Sequence, residues 1–179
     1  MTAIEYNQLR AFARMDGAIL ALLWTWSFVC YVGGLTHPML GTLALVLAII
    51  TPFLVGRRLK KFRDGALDGC ISFKRALAYC LLTFLYGSLL FAAVHFVYFT
   101  WLDHGYFFSM LSKMMMAPEN IQALGKEMMT AVQQSLAAVT AMRPIDLALN
   151  IMMSNVFIGI ILSLPLAAVM KRDVKKVKG

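Results

Sequence analysis

The chain has 179 residues, of which 60% are hydrophobic and 15% are charged, and its mean hydropathy is +0.73. This composition excludes an ordinary soluble domain and predicts a single membrane domain over residues 1–179. A net charge of +8 would suggest nucleic acid as the partner of a soluble protein. In a membrane protein, however, basic residues are first explained by topology, so we expect no nucleic-acid partner.

Four apolar segments are long enough to cross a bilayer, which takes about 20 residues each. They lie at about residues 17–34, 39–56, 76–101 and 147–170. The first two are separated by residues 35–38 alone, which predicts an antiparallel helical hairpin. The small pairs Gly159/Ser163 and Ser88/Ala92 are typical of close helix packing in membranes. The predicted fold is an all-α integral membrane bundle of four transmembrane helices.

A basic loop, residues 57–75, joins the second and third segments. Fourteen of the 17 Lys and Arg residues lie on the side of this loop and the termini, including the tail residues Lys175, Lys176 and Lys178. Because basic residues are retained in the cytoplasm, the loop and both termini are predicted to be cytoplasmic. The loop is also the candidate surface for anionic membrane lipids or a protein partner. Its basic residues are Arg57, Arg58, Lys60, Lys61, Arg63, Lys74 and Arg75.

The external segment, residues 103–146, is mixed in polarity and rich in methionine. Pro118 and Glu119 suit the start of a helix. Apolar residues then recur at helical spacing, at Ile121, Leu124, Met128, Val132, Leu136 and Val139. The pattern predicts an external amphipathic helix between the third and fourth spans. It either caps the bundle or lies on the outer leaflet, and we favour the cap.

Few polar side chains lie within the spans, and such residues mark candidate functional positions in membrane proteins. The candidates that could line a polar route or bond neighbouring helices are His95, Asn150, Ser154 and Asn155. A buried neutral histidine and interhelical hydrogen bonds are the structural interpretation. A route lined by these side chains is the functional one.

An enzyme would need a convergent set of catalytic or metal-binding side chains. His37, Asp103 and His104 are metal ligands by type and lie on the external side, but nothing in their spacing requires a site. The chain carries no recognisable motif for an acid, a base or a nucleophile. We expect no catalytic activity, no bound metal and no cofactor.

The sequence resembles a known family along roughly residues 57–172. The likeness rests on Lys60, Lys61, Phe62 and Arg63, on residues 71–76, and on Tyr98, Phe99, Trp101, Leu102 and Asp103. These segments are similar to the family called domain of unknown function 4199, and the first hairpin matches it in hydropathy. The resemblance implies a four-helix protein of the Bacteroidetes inner membrane with no established activity. It carries over no functional residue.

Two functional hypotheses follow from small size, packing motifs and a basic cytoplasmic face. The first is a non-enzymatic accessory subunit of an envelope complex in the bacterial inner membrane. Its partner would be a membrane-associated glycosyltransferase that uses lipid-linked sugars, an association suggested by the resemblance. The alternative is a small transporter, or a flippase for a lipid-linked substrate, that acts as a homo-oligomer. A polar cavity that reaches the membrane midplane, within a protomer or across an oligomer interface, would favour the second hypothesis. A tightly packed bundle without a lateral opening would exclude it.

Overall fold

The computed structural model describes residues 2–172, with the side chains of residues 118–127 outside the description. The helices are α1 (Ala3–Gly34), α2 (Pro38–Ala66), α3 (Phe73–Val97), α4 (Tyr106–Met115), α5 (Pro118–Thr140) and α6 (Pro144–Met170). A π-helical turn, Tyr98–Leu102, continues α3. Within the described residues, α1, α2, α3 with its π-turn, and α6 are long and apolar enough to cross a membrane. The predicted all-α membrane bundle is confirmed.

At the basic end of the bundle α1 and α3 begin, and α2 and α6 end. There α1, α2 and α3 extend beyond the predicted apolar segments, whereas α6 ends at Met170 as predicted. A capping box between Thr2 and Glu5 starts α1 fourteen residues before the predicted span. At the other side of the hairpin, α2 continues to Ala66 because Leu59 and Phe62 are fully buried in the core. Residues 57–66 and 73–75 of the predicted basic loop, 57–75, are therefore helical.

The short connection between α2 and α3 is a tight turn at residues 67–72. Asp68 has φ 49° and Gly69 has φ 80°, both in the left-handed region. Ile71 then exchanges two backbone hydrogen bonds of 2.9 Å with Arg172, just past the end of α6. This bridge ties the α2–α3 connection to the C-terminal end of α6.

The helices form a row in the order α2, α1, α3, α6, with extensive contact between neighbours. Close approach depends on small residues. A Cβ built on Gly17 would lie 2.7 Å from Tyr86 Cβ, and one on Gly159 would lie 2.6 Å from Phe84 Cβ. The predicted packing residues Gly159, Ser163, Ser88 and Ala92 are all buried, which confirms their structural role. The core lies mainly at the basic end.

Two helices, α4 and α5, fill the predicted external segment, and α5 begins at Pro118 as expected. Ile121 and Leu124 of the predicted apolar face lie outside the described side chains. Farther along α5, Met128 is exposed, whereas Val132, Leu136 and Val139 are partly buried. These three line a cavity together with residues of α1, α3 and α6.

Candidate functional site

A buried polar cluster joins three helices at the basic end. Asp16 of α1 accepts hydrogen bonds from the Arg58 guanidinium of α2 and from the Tyr79 hydroxyl of α3. Asp16 is 3% exposed and Tyr79 is 0% exposed. Asp16 lies one residue before the predicted first span, 17–34, and was not among the predicted functional residues. An acidic residue opposite Arg58 in an antiparallel hairpin was the available signal.

Three residues of the predicted basic surface make internal contacts. Besides Arg58, the buried Arg63 bonds Asp64 and donates to the Met170 carbonyl over 3.1 Å. Arg75 pairs with Glu5 and lies over the Phe62 ring. The exposed remainder of that surface is Arg57, Lys60, Lys61 and Lys74. Of the seven cations of the predicted surface, four are therefore available to a lipid or partner that meets this end.

A lateral groove of about 820 Å³ opens between α2 and α6, with α1 and α3 as its floor. Its rim carries the exposed residues Leu45 and Ile49 of α2 and Ile158 of α6. Trp24 and Phe84 form part of the floor. Two hydrogen bonds tie α1 to α2 beside the groove: Trp24 Nε1 donates to Thr51 Oγ1 over 2.9 Å, and Ser27 donates to the Ala44 carbonyl over 2.8 Å.

The groove is closed towards the basic end. There α2 meets α6, where a Cβ built on Gly56 would lie 3.4 Å from Met170 Cε and 3.5 Å from Leu166 Cδ2. The Arg63 bond to the Met170 carbonyl lies one to two turns farther along the same side. The groove is thus a blind slot that opens sideways to the bilayer.

An aromatic chamber of about 580 Å³ adjoins the groove at the opposite end of the bundle, under α4 and α5. The two cavities share Phe28, Tyr31, Phe91 and Asn155 as walls. A third cavity of about 820 Å³ lies outside the chamber and is lined partly by polar side chains such as Gln133. It shares with the chamber wall residues other than the four just named. Cavities therefore follow one another from the middle of the bundle to the end opposite the basic end.

Two of the four predicted polar candidates line the aromatic chamber. His95 is 3% exposed, and its Nδ1 lies 3.0 Å from the Phe91 carbonyl. Asn155 is half-buried and lines both chamber and groove. Asn150 and Ser154 are exposed on the outside of α6. The expected interhelical hydrogen bonds of Asn150, Ser154 and Asn155 are not found within residues 2–172.

The external residues considered as metal ligands have other environments. Asp103 is buried and accepts hydrogen bonds from the backbone of Gly105 (3.1 Å) and Phe107 (2.8 Å) at the start of α4. His104 lies 3.2 Å from the Leu102 carbonyl, and His37 is exposed in the α1–α2 turn. In the part of the chain that the structure describes, no three His, Cys, Asp or Glu side chains could hold a metal ion. Asp103 fixes the turn into α4.

The walls of the groove and the chamber determine what they can bind. Among the described side chains, none of those lining either cavity is charged. Hydrogen-bonding groups are few, and most of the surface consists of aliphatic and aromatic carbon. Such a site favours an apolar chain and disfavours any charged group, because burying a charge without a partner costs several kcal/mol.

Comparison with known proteins identifies the family. The sequence model of the family described as "Protein of unknown function (DUF4199)" matches residues 16–172, and the chain belongs to this family. The match confirms the resemblance and extends it over the first hairpin, beginning at Asp16. No curated protein and no solved structure matches the chain.

Proposed function

We propose that this member of the DUF4199 family is a non-enzymatic accessory membrane protein that holds the apolar chain of a lipid in the groove between α2 and α6. The observation that supports the proposal is a blind apolar slot that opens sideways to the bilayer. Lipid chains reach such a slot by lateral diffusion. The protein would hold one of them in a defined place for a partner in the same membrane.

A lipid chain fits this slot better than a transmembrane helix of a partner. Cavities that enclose small ligands measure about 300–1,000 Å³, and the groove of about 820 Å³ lies in that range. A helix that crosses the membrane needs about 30 Å of uninterrupted length. The groove is interrupted at the basic end by the contact of Gly56 with Leu166 and Met170, so a spanning helix would meet an obstacle.

Photolabelling tests the groove directly. The full-length protein in bilayer nanodiscs is labelled with a fatty alcohol that carries a diazirine in its chain, and labelled peptides are identified by mass spectrometry. Ala48 lines the groove and is exposed, so Ala48→Phe fills the slot without entering the core. Its matched control is Ala168→Phe, at an exposed position of α6 outside the cavity walls described above.

We expect labels on groove residues such as Trp24 and Ile158 in the wild type and in Ala168→Phe, and at least a fivefold loss in Ala48→Phe. Equal labelling of the two variants would contradict the proposal. So would labels spread evenly over the lipid-facing surface of the wild type.

The partner is the second part of the proposal. The exposed cations Arg57, Lys60, Lys61 and Lys74 at the basic end favour contact with anionic lipids or with an acidic protein surface. A glycosyltransferase that uses a lipid-linked sugar is one partner that would need a positioned lipid. Copurification from native membranes at native abundance tests this, and a reproducible absence of any stoichiometric protein would contradict it.

A small transporter or lipid flippase, acting as an oligomer, is the second candidate function. The observation that favours it is the succession of cavities from the groove through the aromatic chamber to the polar external cavity. Proteoliposomes with a fluorescent lipid in one leaflet provide the test. Transfer faster than in empty liposomes, and slowed by Ala48→Phe, would favour transport over the accessory role.

We place the protein in a bacterial inner membrane with its basic end in the cytoplasm. The support is the distribution of Lys and Arg, of which fourteen lie on the side of the termini and three on the other. Reporter fusions after Arg172 and between α4 and α5 test the orientation. If a reporter that is active only in the periplasm were active when fused after Arg172, the proposed orientation would be wrong.

A further inference from the structure

We infer that the aromatic chamber selects the head of the lipid, and that this head is uncharged and carries a hydroxyl group. The inference rests on the proposed function and names the ligand class of the same site. The reason to look for a head is energetic. A chain that leaves the bilayer for the groove exchanges one apolar environment for another, so the hydrophobic effect contributes little to binding. Selectivity must come from groups that the bilayer core lacks.

The chamber first discriminates between lipid heads by their charge. Among the described side chains, no Lys, Arg, Asp or Glu lines the chamber or the groove. A phosphate or ammonium group that entered would lose part of its hydration without gaining a counter-ion. Fourteen of the 17 Lys and Arg residues belong to the other, basic side of the protein. The chamber is therefore matched to an uncharged head.

His95 provides the hydrogen-bond acceptor. Its Nδ1 lies 3.0 Å from the Phe91 carbonyl oxygen. A carbonyl can only accept, so Nδ1 carries the proton and donates it. In the neutral imidazole the other nitrogen, Nε2, is then an acceptor. Within the described residues Nε2 has no hydrogen-bond partner, and His95, a residue that is 3% exposed, lines the chamber.

The ring of His95 cannot turn easily to another partner. Its centroid lies 4.2 Å from that of Phe28 and 4.2 Å from that of Phe91. These contacts, with the bond to the Phe91 carbonyl, hold the imidazole in one orientation. A group that donates a hydrogen bond would satisfy Nε2, and a hydroxyl is a small uncharged group of this kind.

Asn155 supplies the second polar contact. Its side-chain amide both donates and accepts, and within the described residues it has no hydrogen-bond partner. It is a shared wall of the chamber and the groove, which is where the head of a lipid would join its chain. A hydroxyl that donates to His95 can accept from Asn155. The two residues come from α3 and α6, so the contact also spans two helices.

Two kinds of lipid carry this chemistry, and the experiment distinguishes them. One is a quinol, in which hydroxyl groups sit on a flat ring that could stack on Phe28, Phe91 or Phe99. The other is a straight-chain or isoprenoid alcohol. The photolabelling assay in nanodiscs is repeated with a long-chain quinol, a long-chain alcohol, or an anionic phospholipid as the competitor.

The variants separate the head from the chain. Asn155→Leu removes the amide at similar size, and Asn150→Leu is its matched control on the exposed side of the same helix. His95→Phe keeps a ring between Phe28 and Phe91 and removes the acceptor. Chemical unfolding of each variant in the same detergent confirms that it is folded before its binding is compared.

We expect one or both uncharged hydroxyl lipids to compete in the wild type, and the phospholipid to compete at least tenfold more weakly. Asn155→Leu and His95→Phe should weaken that competition about tenfold, the ratio that corresponds to about 1.4 kcal/mol. Asn150→Leu should leave it unchanged. Stronger competition by the quinol than by the alcohol would indicate that the quinol ring stacks on the aromatic walls of the chamber.

The outcomes distinguish the two proposals. Loss of labelling in Ala48→Phe, together with equal competition by charged and uncharged lipids, would refute the selective head site and leave the groove. Equal effects of Asn155→Leu and Asn150→Leu would do the same. Labelling that Ala48→Phe does not reduce would refute the proposed function itself.

Discussion

Removing the carboxylate of Asp16 should destabilise the bundle more than removing any exposed acidic group. Asp16→Leu leaves the Tyr79 hydroxyl, 0% exposed, without its acceptor and leaves Arg58 without its counter-ion. Breaking a buried pair by removing one partner costs about 3–5 kcal/mol. Arg58 is 24% exposed and can turn towards water, so the lower end applies, and we expect a loss of about 3 kcal/mol in the free energy of unfolding.

Equilibrium unfolding in mixed detergent micelles measures this loss. Asp146→Asn is the control, because its carboxylate pairs with Arg143 on the exposed external side, where the pair raises the pKa of the Arg143 guanidinium above its usual range. An exposed pair of this kind contributes little, so the control should unfold like the wild type.

A double-mutant cycle with Tyr79→Phe tests the geometry of the cluster. Tyr79→Phe alone should cost about 1.5–3 kcal/mol, as for a hydrogen bond to a charged group. Asp16→Leu with Tyr79→Phe should cost less than the sum of the single variants, since no hydroxyl is left unpaired. Strict additivity would refute the contact, and so would an Asp16→Leu protein as stable as Asp146→Asn.

Two further substitutions test the packing and the external turn. Gly159→Ala should destabilise the protein by about 1–3 kcal/mol, because the new Cβ would lie 2.6 Å from Phe84 Cβ. Its control, Gly56→Ala, places a Cβ at an ordinary 3.4 Å from Met170 Cε and should be tolerated. Equal unfolding curves for the two variants would contradict this prediction. Asp103→Ala should destabilise the start of α4 by about 1 kcal/mol, since two backbone N–H groups lose their acceptor. Backbone hydrogen exchange should then accelerate at residues 105–107. Unchanged exchange there would disprove the capping role of Asp103.

The four spans could be predicted because the lipid environment makes hydropathy a direct signal. Asp16 could not, since a polar residue at the edge of an apolar segment is equally compatible with contact to the headgroups. What distinguishes it is the approach of Arg58 and Tyr79 from two other helices. That approach depends on how α1, α2 and α3 pack and not on any pattern along one of them.

The polar residues of α6 show the same limit. Successive residues of a helix are turned by about 100°, so Asn150 and Ser154 share one face and Asn155 is turned about 100° from Ser154. The spacing therefore predicts that Asn155 faces a different direction from Asn150 and Ser154. It does not predict which way is inward, because α6 is apolar on all sides and has no hydrophilic face to orient it. The structure turns Asn155 to the cavities and leaves the other two exposed.

The groove itself follows from what holds helices together in lipid. Apolar contacts between helices replace equally apolar contacts with lipid, so association depends on small residues and hydrogen bonds. The helices meet where these occur, at Gly17 and Gly159 and at the bonds of Trp24 and Arg63. Between the outer halves of α2 and α6 the facing side chains are aliphatic, among them Leu45, Ile49 and Ile158. These aliphatic side chains favour contact with a neighbouring helix no more than contact with a lipid chain, and the groove lies between them.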